Sequence, residues 1–321
     1  MIEHLLDLPL YRLELPTPFP VGPVNVYLVT EPEAVLLDTG TRTEETLVRL
    51  EKLLAEVGLR VEGLKKIVVT HGHLDHYGLA QVLADRSGAP VYASPLDGSH
   101  FNHHEKLDGF YSAMMEQAGV PGEVVLRIGE QFAGFRSLAA PLVEYVPIEQ
   151  LGAIRCGPLA FQPIATPGHT QGSVSFFEPT RRILLSSDTV LKHITPNPIL
   201  DLDEVSPRRR FRALGAYLET LQRIRELNPA IIYTGHGEPV ENYPELHDRV
   251  LRHHQARKEL ILQCLRTGEH TVYQVGACLF PEPRTHNSFL AISEVFAHLD
   301  LLEEASECRK RFAGPVALYS V

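Results

Sequence analysis

The sequence predicts an α/β chain, with a mixed sheet, helices packed on it, and a small, mostly helical unit at the end. Three observations carry this expectation. Apolar runs of strand length first follow one another in hairpin order and then alternate with stretches of helical spacing. Four later strands each stop at a potential ligand beside glycine or a small residue. Beyond residue 240, helical spacing dominates. At 321 residues and 44% hydrophobic, the chain can bury a sizeable core and exceeds an average domain.

Leu10 to Leu15 alternates apolar and polar residues, as an edge or half-buried strand does. Pro16 to Pro23 is a proline-punctuated turn. Val24–Val29 and Ala34–Asp38 read as paired strands around Glu31-Pro32-Glu33. Thr43 is placed to cap a helix reaching Gly58, with Leu47, Leu50, Leu53 and Leu54 at helical spacing. Lys65–Val69 is a β-branched buried strand, and Gly78–Ala84 suits a helix. Pro90–Ala93 is a further short strand. Residues 97 to about 150 read as an inserted, partly helical excursion, with a helix near Glu105–Ala118 and a return to the sheet near Leu159. Long insertions of this kind are often lids or binding loops. Its histidines His100, His103 and His104 are expected at the surface. Leu159–Ala165, Val174–Phe177, Arg182–Ser187 and Ile231–Thr234 are the remaining strands of the main unit.

Between the strand at 65–69 and the next helix lies Thr70-His71-Gly72-His73-Leu74-Asp75-His76-Tyr77-Gly78. Three imidazoles and a carboxylate thus share one turn, where side chains can converge as they cannot on a regular strand or helix. Imidazole and carboxylate are the donors that zinc and related divalent ions prefer. His169 follows the strand at 159–165, Asp188 ends the strand at 182–187, and His236 follows the strand at 231–234. Singly each is a weak signal. Jointly with the turn they supply six or seven ligands on one rim of a sheet, where layered folds gather their ligands.

Composition narrows the function classes. A net charge of −10 argues against a general polyanion binder. Cys156, Cys264, Cys278 and Cys308 form no C-x-x-C pair and read as reduced thiols packed in the core of a cytoplasmic protein. The amino terminus lacks a secretion signal, and no apolar run approaches the ~18 residues of a membrane span. No G-x-S-x-G elbow, P-loop or Rossmann glycine motif offers another mechanism.

The ordered set Leu37-Asp38-Thr39-Gly40, His71-x-His73-x-Asp75-His76, Pro167-Gly168-His169, Ser187-Asp188-Thr189 and Thr234-Gly235-His236 resembles the metallo-β-lactamase superfamily over roughly residues 10–240. The resemblance implies a four-layer αββα sandwich with a dinuclear metal site on one edge. It implies that His71, His73 and His169 hold one cation. Asp75, His76 and His236 would then hold the other, with Asp188 bridging. Asp38 would sit behind the ligands and position their loops. Two divalent ions, zinc with manganese or iron as alternatives, would activate a shared water as hydroxide. Asp75 and Asp188 would be the catalytic carboxylates.

Within the family, Asp188 points away from true β-lactamases, which generally lack it, and towards thioesterases, lactonases and nucleases. The 48 residues from Asp188 to His236 (236 − 188) leave no room for the insertion of the β-CASP nucleases. His73 speaks against flavodiiron proteins, which carry glutamate there. A small-molecule thioester, ester or lactone is therefore the expected substrate. A single-strand endoribonuclease or phosphodiesterase is the first alternative, and a mononuclear-iron sulfur oxygenase the second. Lys192, His193 and Asn197, in the segment leaving Asp188, are candidates for orienting substrate. Arg208, Arg209, Arg210 and Arg212 read as the first turns of a helix reaching about Leu227. There they would oppose the helix dipole, and they are either a solvated face or a grip on a phosphate or carboxylate.

Residues 1–240 are expected to form the catalytic unit and 241–321 a separate small one. Leu246–Arg266 reads as a polar helix with His247, His253 and His254 on its surface. A second helix starts near Thr271. Phe289–Glu304 follows the loop at Pro281-Glu282-Pro283-Arg284, and Pro315–Val321 reads as a terminal strand. The order resembles the winged-helix-like extension of some relatives, including endoribonucleases. Residues 288–304 carry four acids and no Lys or Arg, so packing or homodimerisation is expected in place of nucleic-acid reading.

Overall fold

A computed structural model describes residues 1–102, 104–206, 209–282 and 288–321, and at 104 and 105 the backbone alone. The first half of the chain runs β1 (Ile2–His4), β2 (Leu10–Leu15), β3 (Val24–Val29), β4 (Val35–Leu37), α1 (Glu44–Glu56), β5 (Lys66–Val68), α2 (Leu74–Tyr77), α3 (Ala80–Ser87) and β6 (Val91–Ala93). The insertion contributes α4 (Gly98–Asn102), α5 (His104–Gln117), α6 (Gly122–Phe135) and β7 (Val146–Pro147). The second half of the main unit is β8 (Ile154–Cys156), β9 (Leu159–Ala165), β10 (Val174–Glu178), β11 (Ile183–Ser187), α7 (Ala213–Leu227) and β12 (Ile231–Thr234). The tail is α8 (Tyr243–Leu265), β13 (His270–Thr271), α9 (Val272–Leu279), α10 (Phe289–Glu304), β14 (Arg309–Ala313) and β15 (Val316–Ser320).

Strands β1 to β7 form one sheet in chain order, and β12-β11-β10-β9-β8 a second. Side-chain alternation assigns each face. In β4, Val35 and Leu37 look towards the other sheet, where they meet Phe161, Phe176, Leu185 and Tyr233. Leu36, between them, joins Leu50, Leu53, Leu83 and Ile67 under α1 and α3. On the second sheet Leu184 and Ile232 turn outward onto Leu214, Tyr217, Leu221 and Tyr243 of α7 and α8. Both faces of both sheets are therefore buried, which gives the four-layer αββα sandwich that the motifs imply. Strands β4, β5 and β6 are parallel. So are β11 and β12, and β9 shares their direction because both β9 and β11 run antiparallel to β10. Loops that carry side chains to a common rim thus leave the carboxyl ends of six strands.

Several expectations need correction. The insertion holds two helices besides the expected one, α4 and α6, and rejoins the first sheet at β7, alongside β6, before Leu159. The arginine run does not open a helix. Leu202 and Arg210 form a β-bridge, Phe211 N–H donates to the Asp201 carbonyl, and α7 starts only at Ala213. Arg210 and Arg212 are drawn instead to the buried carboxylate of Asp300. Cys264 and Cys278 are joined by a disulfide, because the turn between α8 and α9 brings their Cα atoms to 6.3 Å. Cys156 and Cys308 are the buried free thiols among the described residues. His247 and His254 are buried, since α8 is covered by the second sheet's helices on one side and by α10 on another. His100 is paired with Asp201 rather than solvated. His103, the side chain of His104, Arg208, Pro283 and Arg284 lie outside the described residues.

The tail adds β14 to the expected helix–helix–helix–strand order, giving a three-stranded sheet β13-β15-β14. Its apolar core is shared with the insertion: Met115, Ala118, Val124 and Ile128 pack with Ile261, Val275, Phe296 and Tyr319. No described helix is long and apolar enough to cross a membrane.

One buried pair fastens the insertion to the 201–206 loop. His100 Nε2 lies 2.6 Å from Asp201 Oδ2. Burial alone would lower the His100 pKa, but Asp201, Asp97 and Glu204 raise it to about 9. A group whose folded pKa lies above its unfolded value of about 6.5 stabilises fully below that value and loses the contribution as pH rises through the folded pKa. Asp201→Asn should therefore destabilise the protein most near pH 6, with a deficit that shrinks by pH 10. Urea denaturation of parent and variant across that range checks this, and a pH-independent deficit would contradict it.

Candidate metal centre

Each expected ligand sits where a strand has just stopped. After β5 the chain enters a turn in which His71 sits at a bend, His73 is extended, and Asp75 and His76 fall on the single turn of α2. His71 Nε2 and His73 Nδ1 point at each other 3.0 Å apart. Donor atoms of His71, His73 and His169 lie within 4.8 Å of one another. The same holds for His71, His76 and Asp188, and for Asp75, His76 and His236. Asp188 touches both ends of the array. Its Oδ1 lies 3.5 Å from His76 Nε2, and its Oδ2 lies 3.6 Å from His169 Nε2 and 3.5 Å from His236 Nε2. Asp75 Oδ2 stands 3.3 Å from His236 Nε2. The seven side chains separated in sequence are one cluster.

The imidazoles are aimed from behind. His76 Nδ1 donates to Asp38 Oδ2 at 2.8 Å, His236 Nδ1 to the Pro23 carbonyl at 2.8 Å, and His169 Nδ1 to the Asn197 carbonyl at 3.3 Å. Each bond fixes the proton on the outer nitrogen and leaves the inner lone pair facing the cluster. Those inner atoms, His76 Nε2, His169 Nε2 and His236 Nε2, are buried with no hydrogen-bond partner, as is Asp188 Oδ1. Buried polar atoms rarely go unpaired. Four unpaired acceptors turned towards one another are what divalent cations fit, and the donor set is imidazole and carboxylate throughout.

Electrostatics agree. Burial and the neighbouring imidazoles push His71 and His73 well below the usual histidine range, and burial lowers His169 as well, so all three keep their lone pairs. Burial would also lower His76 and His236, yet Asp188, Asp38 and Asp75 hold His76 well above that range and Asp188 and Asp75 raise His236, so a proton competes with a cation for the inner lone pair of each. Asp188, despite burial, is held well below the carboxylate range by His236 and His76. Cations that bind there would replace protons, so affinity should weaken as pH falls.

Two further features position the ligands. Asp38, at φ 63°, accepts from Thr70 N–H and Thr70 Oγ1, both at 2.8 Å, as well as from His76. Gly235 lets Asp188 approach: a Cβ there would collide with Asp188 Oδ1. Sequence reasoning missed Asp97. This fully buried carboxylate accepts from Gly72 N–H at 2.7 Å, Thr170 Oγ1 at 2.8 Å and Gly172 N–H at 2.7 Å. It thereby ties the 71–76 turn to the loop carrying His169. It lies beyond the end of β6, on the turn Pro95–Asp97, and no local sequence signal marks it. Asn25 and Tyr27 were also missed. Asn25 Nδ2 donates to the Thr234 and Gly237 carbonyls and Tyr27 Oη to the Thr234 carbonyl, pinning the His236 loop to the first sheet.

Of the substrate-orienting candidates, Lys192 pairs with Glu238 at 2.6 Å, and His193 lies exposed beside the same carboxylate. Asn197 is held inside: its carbonyl receives His169, and its amide donates to the Leu290 carbonyl and to Glu294 Oε2.

A family model described as the metallo-beta-lactamase superfamily matches residues 19–236. The chain belongs to the metallo-β-lactamase superfamily. Its relatives in that superfamily include the "probable metallo-hydrolase YqjP" of Bacillus subtilis, 29% identical over 298 residues and 91% of either chain. A metallo-beta-lactamase family protein of Thermus thermophilus, TTHA1429, superposes with a TM-score of 0.84 at 28% identity, over 97% of this chain and 98% of that one. The superfamily likeness therefore extends through the tail. The hydroxyacylglutathione hydrolase GloC of Haemophilus influenzae is 25% identical over 162 residues, half of this chain and 63% of its own.

Removing the Asp97 charge tests how far the loops depend on it. An amide at that position has one acceptor oxygen, so Asp97→Asn must leave the N–H of Gly72 or of Gly172 facing a donor. Zinc affinity, measured by competition with a chelator, should fall about 10–100-fold while the circular dichroism spectrum is retained. Unchanged affinity would show that the two loops are held independently of Asp97.

Proposed function

We propose that this chain is a metal-dependent hydrolase working at a dinuclear site, most plainly zinc, on a thioester or a related ester or lactone. The observation that carries the reading is Asp188, one carboxylate within 3.6 Å of ligand nitrogens from both triads. His71, His73 and His169 would hold one ion, and Asp75, His76 and His236 the other, with Asp188 shared. Such a pair of ions lowers the pKa of a water towards 7 and polarises the oxygen that is attacked.

The protein's own part is placement. Asp38 and Asp97 hold the two ligand loops before substrate arrives, so little reorganisation accompanies reaction. Asp75 is held against His236 and can take the proton that the water loses. The likeness to an enzyme named for hydrolysing hydroxyacylglutathione supports an acyl transfer to water, in keeping with a carboxylate at position 188. A small molecule is the partner under this reading and nucleic acid is not. Most of α10 is buried against the tail core and α7, so it offers no exposed face to a groove.

Zinc-loaded protein should hydrolyse members of an acyl-thioester panel, followed by thiol release. His71→Ala and Asp188→Asn should each lower the rate about 100-fold or more while leaving the fold intact. Turnover no higher than that of His71→Ala on every thioester, ester and lactone tried would overturn the proposal.

A further inference from the structure

A second group of nitrogen and oxygen donors lies outside the catalytic cluster, where α8 crosses α10. His253 and His254, consecutive on α8, and Glu294 on α10 place donor atoms within 4.8 Å of one another. The hydrogen bonds around them fix which atoms are left bare. His298 Nδ1 donates to the Glu294 carbonyl at 2.8 Å, so His298 Nε2 is an acceptor. His254 Nδ1 lies 3.3 Å from it and donates to it. The lone pair of His254 then resides on Nε2, which is buried and has no hydrogen-bond partner. On Glu294, Oε2 accepts from Asn197 Nδ2 at 3.3 Å, whereas Oε1 is again buried with no hydrogen-bond partner, His298 Nδ1 standing 3.7 Å away. His253 Nε2 completes the set, 3.9 Å from Glu294 Oε1.

We propose that His253, His254 and Glu294 form a further divalent-cation site, separate from the catalytic centre and suited to zinc. Two imidazoles and a carboxylate with an open position are a zinc donor set. The chain from the Glu294 carbonyl through His298 to His254 is the arrangement that orients metal-bound imidazoles from behind. The neighbouring Arg257 is engaged over the Phe280 ring at 4.6 Å. The site also touches the catalytic centre through one residue. Asn197 joins Glu294 by its amide and His169 by its carbonyl.

The site stands apart from the reaction proposed above, and its test does not read activity. Full-length protein is stripped with chelator, loaded with Zn²⁺, desalted, and its metal counted by elemental analysis. Glu294→Gln and His253→Gln should each hold one equivalent less than the parent. His71→Ala/Asp188→Asn, disabled at the catalytic centre, should keep the equivalent that those variants lose. Loaded with Co²⁺, this double variant should show a visible ligand-field band that vanishes when Glu294→Gln is added. His253 is half-exposed, so His253→Gln decides the matter if a buried change impairs folding. Unchanged zinc content in folded His253→Gln, or no Co²⁺ band in the double variant, would overturn the assignment.

Discussion

Asp38 accepts hydrogen bonds from the backbone and hydroxyl of Thr70 and from the His76 imidazole in a place closed to water. Taking any of those donors away would leave a buried carboxylate short of a partner, at a cost of several kcal/mol. The turn from 70 to 76 is thereby committed to one conformation, and that conformation is the one that points His71, His73 and His76 at a common space. Asp97 repeats the device one strand away from β5, joining that turn to the loop of His169. The buried carboxylates come from the first sheet, and they organise ligands contributed by both.

That arrangement explains the architecture around it. A sandwich whose parallel strands end on one rim supplies six chain exits close together. The inter-sheet core of Leu37, Val68, Phe176, Leu185 and Tyr233 sets the separation between exits on opposite sheets. Asn25 and Tyr27 then lock the last exit, the His236 loop, across the gap. The insertion and the tail close the outer side, sharing a core and meeting the centre through Asn197 and the His100–Asp201 pair. Function is thus a property of loops, and the sheets hold those loops to a fixed distance.

The sequence made the seven clustered side chains legible because they follow apolar strands, beside glycine or a small residue, and because imidazole and carboxylate advertise their chemistry. Asp97 was hidden: it follows Ser94-Pro95-Leu96 in what reads as the start of an excursion, and only the parallel pairing of β6 with β5 reveals its equivalence to Asp38. Helix α6 was obscured by Pro121, Gly129 and Gly134, although Val124, Val125, Ile128 and Phe132 keep helical spacing. Strand β14 has no apolar alternation because Arg309, Arg311 and Phe312 face solvent on an exposed hairpin. The burial of His254 and the Cys264–Cys278 bond depend on how α8 meets α9 and α10, which local spacing does not encode. The arginines around residue 210 resembled a helix start, but a buried acid ninety residues on, Asp300, decides their conformation.

The central claim is that seven ligands share two cations at the rim of the sandwich. A crystal of zinc-loaded protein, with diffraction collected on either side of the zinc absorption edge, tests it most directly. Two anomalous peaks roughly 3.5–4 Å apart are expected, one among His71, His73 and His169 and one among Asp75, His76 and His236, with Asp188 between them. No peak there, or a single peak that leaves Asp188 and His236 unengaged, would contradict it.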